Sequence, residues 1–310
     1  MSKKSILITG SNGLLGQKLV ALIAQNPNYN LIATSKGANR ISKISNFIYE
    51  SLDITNKQEV EAILEKHQPD IIINTSAMTN VDACELNKEE CWKQNVTAVQ
   101  NFVDVITNSQ SSIINCHFIH LSTDFVFDGE NGPYTEEDQP NPVSYYGLSK
   151  YEAEKIIQNS SLKNWAIART IIVYGVVEDM SRSNVVLWAK SALEKGDKIN
   201  VVDDQFRSPT LAEDLAMGCF LIAEKDATGI YNLSGKDTMS ILELVQKVAD
   251  FYGLDKSLIN PIKSNTLNQP AKRPPITGFI LDKAKKDLGY NPHSFLEGLQ
   301  ILDAQLKMNV

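Results

Sequence analysis

Tyr146 and Lys150 are four positions apart and together offer acid–base chemistry. On a helix this spacing places both side chains on one face, about one turn apart. A free phenol has a pKa of about 10 and exchanges protons poorly near neutral pH, but an adjacent ammonium favours the phenolate and lowers that pKa. The pair therefore predicts a tyrosine that transfers a proton, with Lys150 lowering its pKa. The other interpretation is an exposed aromatic ring beside a solvated lysine.

A hydroxyl group suited to the same chemistry follows an apolar segment upstream. Residues 118–121 have the composition of a buried strand, and the chain continues as Ser122-Thr123-Asp124-Phe125. Parallel sheets hold their ligands at the carboxyl ends of the strands. We therefore expect the Thr123 hydroxyl to hydrogen-bond a substrate carbonyl.

A glycine-rich turn lies between the first predicted strand and the first predicted helix. Gly10, Gly13 and Gly16 form the pattern G-x-x-G-x-x-G. Such a turn lets the backbone approach a pyrophosphate, whose charge is attracted to the helix N-terminus. The pattern predicts dinucleotide binding, against the alternative of an ordinary strand-to-helix turn. A nucleotide-hydrolase phosphate loop is excluded because Gln17 and Lys18, instead of Lys and Ser or Thr, follow the last glycine.

The residues after the second strand-like segment bear on the choice of cofactor. An acid that binds the ribose hydroxyls of NAD is expected about 20 residues after the glycine turn, and the chain instead has Ser35 and Lys36, with Arg40 nearby. Unless these cations are only solvated surface charges, they suit the 2′-phosphate of NADPH. The sequence therefore predicts NADPH, with NADH as the alternative. Asp53 and Ile54 follow the third segment, where we expect the adenine ring.

Short apolar segments alternate with segments of helical periodicity through the first half of the chain. This alternation predicts an α/β fold, a doubly wound parallel sheet of the Rossmann type. Loops rich in proline and asparagine interrupt the later chain. We predict a nucleotide-binding domain over 1–170, to which 211–233 returns, and a smaller C-terminal substrate lobe from 171–210 and 234–310. The predicted strands and helices are 5–9, 13–24, 31–34, 47–52, 57–66, 71–74, 88–107, 118–121, 144–158, 165–169 and 184–193.

Composition argues against several classes of partner. The 310 residues carry a formal net charge of -7, so no broad positive field favours nucleic acid or an anionic membrane surface. No apolar run approaches the roughly 20 residues of a membrane span. The scattered cysteines and histidines lack metal-ligand spacing, which predicts no metal site and a reducing, cytoplasmic setting. These residues are Cys84, Cys91, Cys116, Cys219, His67, His117, His120 and His293.

The predicted long helix 88–107 carries an apolar stripe with two possible uses. Trp92, Val96, Val99 and Val103 recur at helical spacing. Such a stripe packs either inside the domain or against a second copy of the chain in a homodimer. The sequence favours internal packing and leaves the homodimer open.

The motifs together resemble the extended short-chain dehydrogenase/reductases. The resemblance rests on the glycine turn, the Ser-Thr-Asp-Phe-Val-Phe-Asp-Gly segment over 122–129, and the Tyr146/Lys150 pair. Within that family the chain is most similar to the dTDP-4-dehydrorhamnose reductases, through further segments at 74–82, 204–210, 229–235 and 272–282. The similarity covers nearly the whole chain.

The resemblance implies a role for individual residues. Tyr146 would donate the proton, and Lys150 would adjust the pKa of the Tyr146 phenol. Thr123 would orient the carbonyl, and hydride would come from a nicotinamide. The implied cofactor-binding residues are Gly10, Asn12, Gly13, Leu14, Leu15, Gly16, Ser35, Lys36, Arg40, Asp53, Ile54, Ser76, Ala77, Asn95, Tyr146 and Lys150. The implied substrate-binding residues are Thr79, Val81, Thr123, Asp124, Phe125, Tyr146 and Arg273.

The preferred function is reduction of the 4-keto group of a nucleotide sugar, and three alternatives were weighed. Sugar-nucleotide dehydratases place a glutamate where this chain has Phe125, which cannot move protons. Epimerases that keep NAD tightly bound remain open. So does a non-catalytic regulatory subunit, because the beta subunit of methionine adenosyltransferase resembles the same group. One departure concerns the sugar: Ile172 stands where the reductases are expected to have a tryptophan, so an aromatic platform would be lost.

Overall fold

The computed structural model describes residues 3–109, 112–180 and 183–308. Parallel strands and amphipathic helices alternate through its larger part. The strands are β1 (Lys4–Thr9), β2 (Tyr29–Ser35), β3 (Ile48–Ser51), β4 (Ile71–Asn74), β5 (His117–Thr123), β6 (Asn164–Thr170), β7 (Val173–Tyr174), β8 (Ile199–Val202), β9 (Phe206–Arg207), β10 (Thr210–Leu211), β11 (Gly229–Asn232), β12 (Met239–Ser240) and β13 (Ile259–Ile262).

The helices are of ordinary length and most begin at a capping side chain. Asn56, Ser144, Asn184 and Ser240 each accept a hydrogen bond from a backbone N–H in the first turn of a helix. The α-helices are α1 (Leu14–Ile23), α2 (Lys57–His67), α3 (Val81–Leu86), α4 (Lys88–Trp92), α5 (Ala98–Asn108), α6 (Tyr145–Gln158), α7 (Val185–Glu194), α8 (Ala212–Glu224), α9 (Ile241–Tyr252) and α10 (Phe295–Met308).

Seven strands form one parallel sheet in the order β11-β6-β5-β4-β1-β2-β3. The chain begins in the middle with β1, runs outward to β3, and then returns to the other side of β1 with β4. This reversal opens a crevice at the carboxyl ends of β1 and β4, which is where doubly wound sheets bind ligands. The predicted doubly wound parallel sheet is confirmed.

Both faces of the sheet are covered by apolar helix faces. One core contains buried side chains of α1 and α8, including Leu19 and Leu215, packed on the sheet. The opposite core contains side chains of α2, α5 and α6, including Leu64, Phe102 and Ile157. Because both faces are buried, the central strands are almost continuously apolar. The carboxyl edge is left as the place where polar side chains emerge.

A third core lies in the later chain. It joins α7, α9 and α10 with the two-stranded pair of β8 and β13. Strand β11 pairs with β6 in the large sheet, and α8 covers the same face of that sheet as α1. The exact division into two domains stays a prediction.

The structure corrects one predicted helix and adds another. The segment 88–107 is not a single α-helix, because a π-helical turn at Lys93–Thr97 interrupts it between α4 and α5. Helix α3 was not predicted. In the stripe on 88–107, Val96, Val99 and Val103 are buried and Trp92 is 37% exposed, so most of the stripe packs internally. None of the helices in the described residues is long and apolar enough to cross a membrane.

A buried ion pair ties α6 to the sheet. Arg169 of β6 donates from Nε and Nη2 to the two carboxylate oxygens of Glu154 on α6, at 3.0 and 2.6 Å. Both side chains are almost fully buried. Bidentate geometry offsets much of the cost of removing the two charges from water. Removing one partner would leave the other charge buried without compensation.

We therefore expect Glu154→Leu to lower the free energy of unfolding by about 3–5 kcal/mol, measured by urea denaturation. The control is Glu194→Ala, which breaks the exposed Lys190–Glu194 pair and should cost about 0.5 kcal/mol or less. Equal losses for the two variants would show that the buried pair does not anchor α6.

Candidate active site

Helix α6 packs so closely against the turn after β5 that the backbones of the two segments are in contact. A Cβ at Gly147 would be 2.1 Å from the carbonyl oxygen of Phe125, so only glycine permits this approach. Ser144 begins the helix by accepting the Gly147 N–H at 3.2 Å. The contact places Tyr146, one residue before the glycine, beside the carboxyl end of β5.

Thr123 and Tyr146 meet at this contact. The Thr123 hydroxyl lies within interaction range of the Tyr146 phenol, and Tyr146 packs edge-on against Phe125 with ring centroids 5.9 Å apart. The Thr123 oxygen accepts the Phe125 N–H at 3.2 Å. The structure thus brings the predicted carbonyl-orienting hydroxyl and the predicted proton donor together.

The protonation of Tyr146 differs from the sequence-based expectation. Burial raises the pKa of the phenol above its ordinary value, the Thr123 hydroxyl acts in the opposite direction, and the acidic groups of Asp124, Cys84 and Cys91 raise it further. The expectation that the pKa of Tyr146 falls is therefore wrong, because burial outweighs the influences that lower it. Tyr146 is held as a phenol, the form that donates a proton.

Lys150 lies in the interior one turn further along α6. Its side chain is 2% exposed, and Nζ is 3.1 Å from Nε2 of His120. Burial lowers the pKa of Lys150 to about 8, although the nearby Glu154 carboxylate acts in the opposite direction. Lys150 is therefore a lysine that changes charge near neutral pH.

The glycine-rich turn fits a dinucleotide. Gly10 has a φ of +66°, and a Cβ there would lie 2.8 Å from the Thr75 hydroxyl. A Cβ at Gly16 would lie 2.2 Å from the Gly10 carbonyl oxygen. No side chain caps α1, which starts at Leu14, so its first N–H groups are available to a pyrophosphate. These features suit the phosphates of the predicted cofactor.

Residues predicted for the adenine side of a cofactor line the same edge of the sheet. Asn12 joins the glycine turn to the loop after β2, donating to Ala38 O at 2.8 Å and accepting the Arg40 N–H at 3.0 Å. Lys36 contacts Asp53 at 2.7 Å. Burial acts to raise the pKa of Asp53, but hydrogen bonds from Lys36 and Thr55 outweigh it and lower the pKa to about 2. Ile54 is held through its carbonyl by Asn101.

Asn95 is placed differently from a simple cofactor ligand. Its side-chain oxygen accepts the Met78 N–H at 2.7 Å, and its nitrogen donates to Met78 O and Ser149 Oγ at 3.0 and 2.9 Å. The amide thus joins the loop after β4 to α6 and occupies the π-helical turn. Its predicted contact with the cofactor stays a prediction.

The residues predicted for the substrate form a neighbouring group. Val81 and Phe125 pack against a small buried cluster of Cys84, Cys91 and Tyr146. Arg273 makes a bidentate pair with Asp82, at 2.7 and 3.1 Å. The Asp82 carboxylate therefore holds Arg273 close to Val81.

Asp124 is turned into the protein. It is 2% exposed, accepts hydrogen bonds from Thr123 and Thr277, and lies 3.9 Å from Nε of Arg207. Burial raises its pKa, while the Arg207 charge acts in the opposite direction. Through these contacts Asp124 holds the turn after β5 against Thr277 and Arg207. Its predicted contact with substrate stays a prediction.

Two residues of the site were not singled out by the sequence. His120 contacts Lys150, as described above. Arg207 is buried beneath Phe125, with its guanidinium carbon 5.7 Å from the ring centroid, and donates to the carbonyls of Phe206, Pro274 and Pro275. Only the arginine itself was visible in the sequence, because the Pro274 and Pro275 carbonyls that it contacts are more than 60 residues away in the chain.

Comparison with known proteins relates this arrangement to a family. The model of the family described as RmlD substrate binding domain matches residues 4–308. The chain belongs to the RmlD substrate binding domain family. The resemblance inferred from the motifs is confirmed.

Among the described residues, no cluster of three or more His, Cys, Asp or Glu side chains could hold a metal ion.

The relatives that resemble this chain carry names that indicate different functions. A dTDP-4-dehydrorhamnose reductase from Aggregatibacter actinomycetemcomitans is 31% identical over 311 residues, covering 96% of this chain and 98% of that protein. Methionine adenosyltransferase 2 subunit beta from Bos taurus is 31% identical, covering 84% of this chain and 75% of that protein. A dTDP-4-dehydrorhamnose reductase from Bacillus anthracis, solved in complex with NADP, has a TM-score of 0.80 at 26% identity and covers 98% of this chain and 99% of that one.

The glycine turn gives a test of cofactor binding. We expect Gly16→Ala to weaken NADPH binding by about tenfold or more, because its Cβ would clash with the Gly10 carbonyl. Gly13→Ala should weaken binding less, since its Cβ would lie 3.2 Å from the same oxygen. Fluorescence titration with NADPH measures both, and a thermal melt checks folding. Unchanged affinity in folded Gly16→Ala would show that the turn does not hold the cofactor.

Proposed function

We propose that this protein is an NADPH-dependent reductase that converts the 4-keto group of dTDP-4-dehydrorhamnose to a hydroxyl. The observation that carries the proposal is the buried Tyr146 phenol, packed against Phe125 beside Thr123 at the carboxyl edge of the sheet. A ketone reduction needs a positioned acid at the oxygen that becomes the alcohol. The substrate is inferred from the relatives named as dTDP-4-dehydrorhamnose reductases.

The chain's own residues would handle the carbonyl oxygen. Thr123 donates a hydrogen bond to that oxygen and orients it. NADPH, when bound, supplies the hydride that reduces the carbonyl carbon. Tyr146 gives its phenolic proton to the same oxygen, so the ketone gains one hydride and one proton and leaves as an alcohol. The Lys150 ammonium, in the same interior, stabilises the phenolate that remains until solvent restores the proton.

The cofactor preference follows from the loop after β2. Lys36 and Arg40 are exposed in the loop after β2, and the strand itself ends at Ser35 without an acidic residue. Cations suit the 2′-phosphate of NADPH. Lys36 contacts Asp53, so cofactor binding would have to draw its ammonium toward the phosphate. NADH remains the alternative, to be ranked in the same assay.

Two other functions of this fold have observations in their favour. The similarity to methionine adenosyltransferase 2 subunit beta favours a non-catalytic regulatory subunit that binds the cofactor without turnover. The shared Tyr–Lys pair also suits an epimerase, which would keep its nicotinamide through each cycle. Net loss of NADPH with a keto sugar would argue against both.

The assay is NADPH oxidation, followed by absorbance, with dTDP-4-dehydrorhamnose as substrate. Tyr146→Phe removes the proton donor and should lower kcat by about 100-fold or more while sparing NADPH binding. The matched control is Tyr145→Phe, which alters the neighbouring half-buried tyrosine and should keep turnover near wild type. Near-normal turnover of Tyr146→Phe would contradict the proposed role.

Three further inferences accompany the proposed function. The substrate is a nucleotide sugar and not nucleic acid, in keeping with the net charge of -7. We expect cytoplasmic residence because the four cysteines are all buried thiols. A homodimer through the segment 88–107 stays a prediction, which sedimentation of the purified chain would test.

A further inference from the structure

A continuous line of hydrogen bonds runs beneath the candidate site across three adjacent strands. The Thr9 hydroxyl of β1 donates to the Asn74 side-chain oxygen of β4 at 2.6 Å. Asn74 Nδ2 lies 3.1 Å from Nδ1 of His120 on β5, and His120 Nε2 lies 3.1 Å from Lys150 Nζ. All four side chains are 2% exposed or less. Water cannot satisfy these groups, so each depends on its neighbours in the line.

Strand register puts the four groups in contact. Thr9 is paired with Asn74, and Asn74 with His120, in the parallel ladders of β1, β4 and β5. Paired residues of neighbouring strands point to the same face of a sheet, here the face covered by α6. Lys150 reaches the line from above. The order and register of the strands therefore bring the four side chains together, and no local sequence motif predicts this arrangement.

The directions of these hydrogen bonds constrain the protons. The Thr9 oxygen already accepts the Ser76 N–H at 3.3 Å, so its own hydrogen points to the Asn74 oxygen. Asn74 then presents its NH₂ group to His120, whose Nδ1 must accept. A neutral imidazole with an accepting Nδ1 carries its hydrogen on Nε2. That hydrogen points at Lys150 Nζ, which can accept it only as an uncharged amine.

Charging Lys150 requires the opposite arrangement. An ammonium has three donors and no acceptor, so Nε2 would have to offer its lone pair. The imidazole hydrogen would then lie on Nδ1, and the Asn74 amide would turn to present its oxygen. Lys150 gains one proton, while His120 stays neutral and only relocates its hydrogen. In both states His120 and Lys150 face complementary groups, whereas in the second state the Thr9 oxygen accepts from the turned Asn74 amide and its own hydrogen points out of the line.

We propose that His120 is a positioning residue which, by exchanging its tautomer, gives Lys150 a hydrogen-bond partner in both its charged and its uncharged state. This deepens the proposed function, because the Lys150 ammonium is needed when Tyr146 becomes phenolate. Without such a partner the charged form of this buried lysine would be less favourable, and its pKa would be lower. His120 thus lets the lysine charge within the range in which the enzyme works.

The charges around Lys150 are consistent with this role. Burial first, and the Lys150 charge second, lower the pKa of His120 well below its ordinary value, which keeps the imidazole neutral. Besides His120 on β5, Lys150 is faced by Glu154 on α6, Cys84 on α3 and Cys91 on α4, which all raise its pKa against the lowering by burial. The Glu154 charge is itself paired with Arg169. The Cys91 thiol can also change charge, because hydrogen bonds with Cys84 and Ser149 and the Lys150 charge lower its pKa to about 7 against burial. The imidazole is the neutral neighbour in hydrogen-bond contact with Lys150 that can adapt.

The direct test needs neither substrate nor cofactor. The chain has four histidines, so long-range proton–nitrogen NMR spectra of histidine-labelled protein resolve each ring. We expect His120 to be neutral throughout, with its hydrogen on Nε2 well above the Lys150 pKa of about 8 and on Nδ1 well below it. A single tautomer at both extremes, or an imidazolium at low pH in the folded protein, would overturn the proposal.

Variants test the effect on Lys150. His120→Phe keeps a ring but no nitrogen, and should lower the Lys150 pKa by about one unit, since the charged form loses the stronger hydrogen bond. His120→Gln should restore it, because a side-chain amide can present either its oxygen or its NH₂ group. His117→Phe, on the same strand but away from Lys150, is the matched control. Carbon NMR of labelled lysine, assigned with Lys150→Met, measures the pKa.

Turnover supplies a second readout. His120→Phe should lower kcat by about twofold at pH 7 and by about tenfold well above pH 8, with little change in KM, because the charged fraction of Lys150 falls and the phenolate forms only during the reaction. An unchanged Lys150 pKa in His120→Phe, or His120→Gln behaving like His120→Phe, would reject the tautomer role. If wild-type protein shows the tautomer exchange but no reductase activity, the proposed function fails and this inference stands.

Discussion

The close approach of α6 to the turn after β5 is the constraint on which the site depends. Gly147 lets the helix touch the Phe125 carbonyl, and that contact fixes Tyr146 next to Thr123. Any side chain at Gly147 would push the helix outward. Because Lys150 and Glu154 lie on the same helix, the contact also sets the reach of Lys150 to His120 and of Glu154 to Arg169. One backbone contact thus aligns the acid, the lysine and the ion pair.

The crowded carboxyl edge of the sheet explains why so many polar groups are buried there. Parallel strands end side by side, so Thr9, Asn74 and Thr123 emerge at one edge. Each is buried and accounted for by hydrogen bonds to its neighbours. A satisfied buried network is rigid, since moving one member leaves others unpaired. Rigidity here holds the reacting hydroxyls in place before any ligand arrives.

Local patterns made much of this predictable. Tyr146 and Lys150 were expected on one helix face because their spacing matches one turn, and Ser144 was expected at the helix start because it is a capping residue. The glycine turn was expected from its position between a strand and a helix. These features depend on residues close together in the chain. The doubly wound parallel sheet was expected because strands and helices alternate along the chain.

Features that depend on distant contacts were missed or misjudged. The π-helical turn at Lys93–Thr97 exists where Asn95 reaches Met78 and Ser149, which no local pattern specifies. The partner of Lys150 is His120, 30 residues away in the chain. The pKa of Tyr146 was expected to fall because of a nearby charge, but burial dominates. Burial and pairing are properties of the assembled fold. The sequence therefore predicts which side chains belong to the site but not their protonation states.

The most direct test of the central claim follows the hydride itself. NADPH carrying deuterium at the nicotinamide C4 would be incubated with the protein and dTDP-4-dehydrorhamnose, and the sugar product examined by NMR. The account predicts deuterium at C4 of the product sugar with wild-type protein, and its loss with Tyr146→Phe. Bound NADPH with no deuterium in the sugar would contradict the reductase assignment and favour a regulatory role.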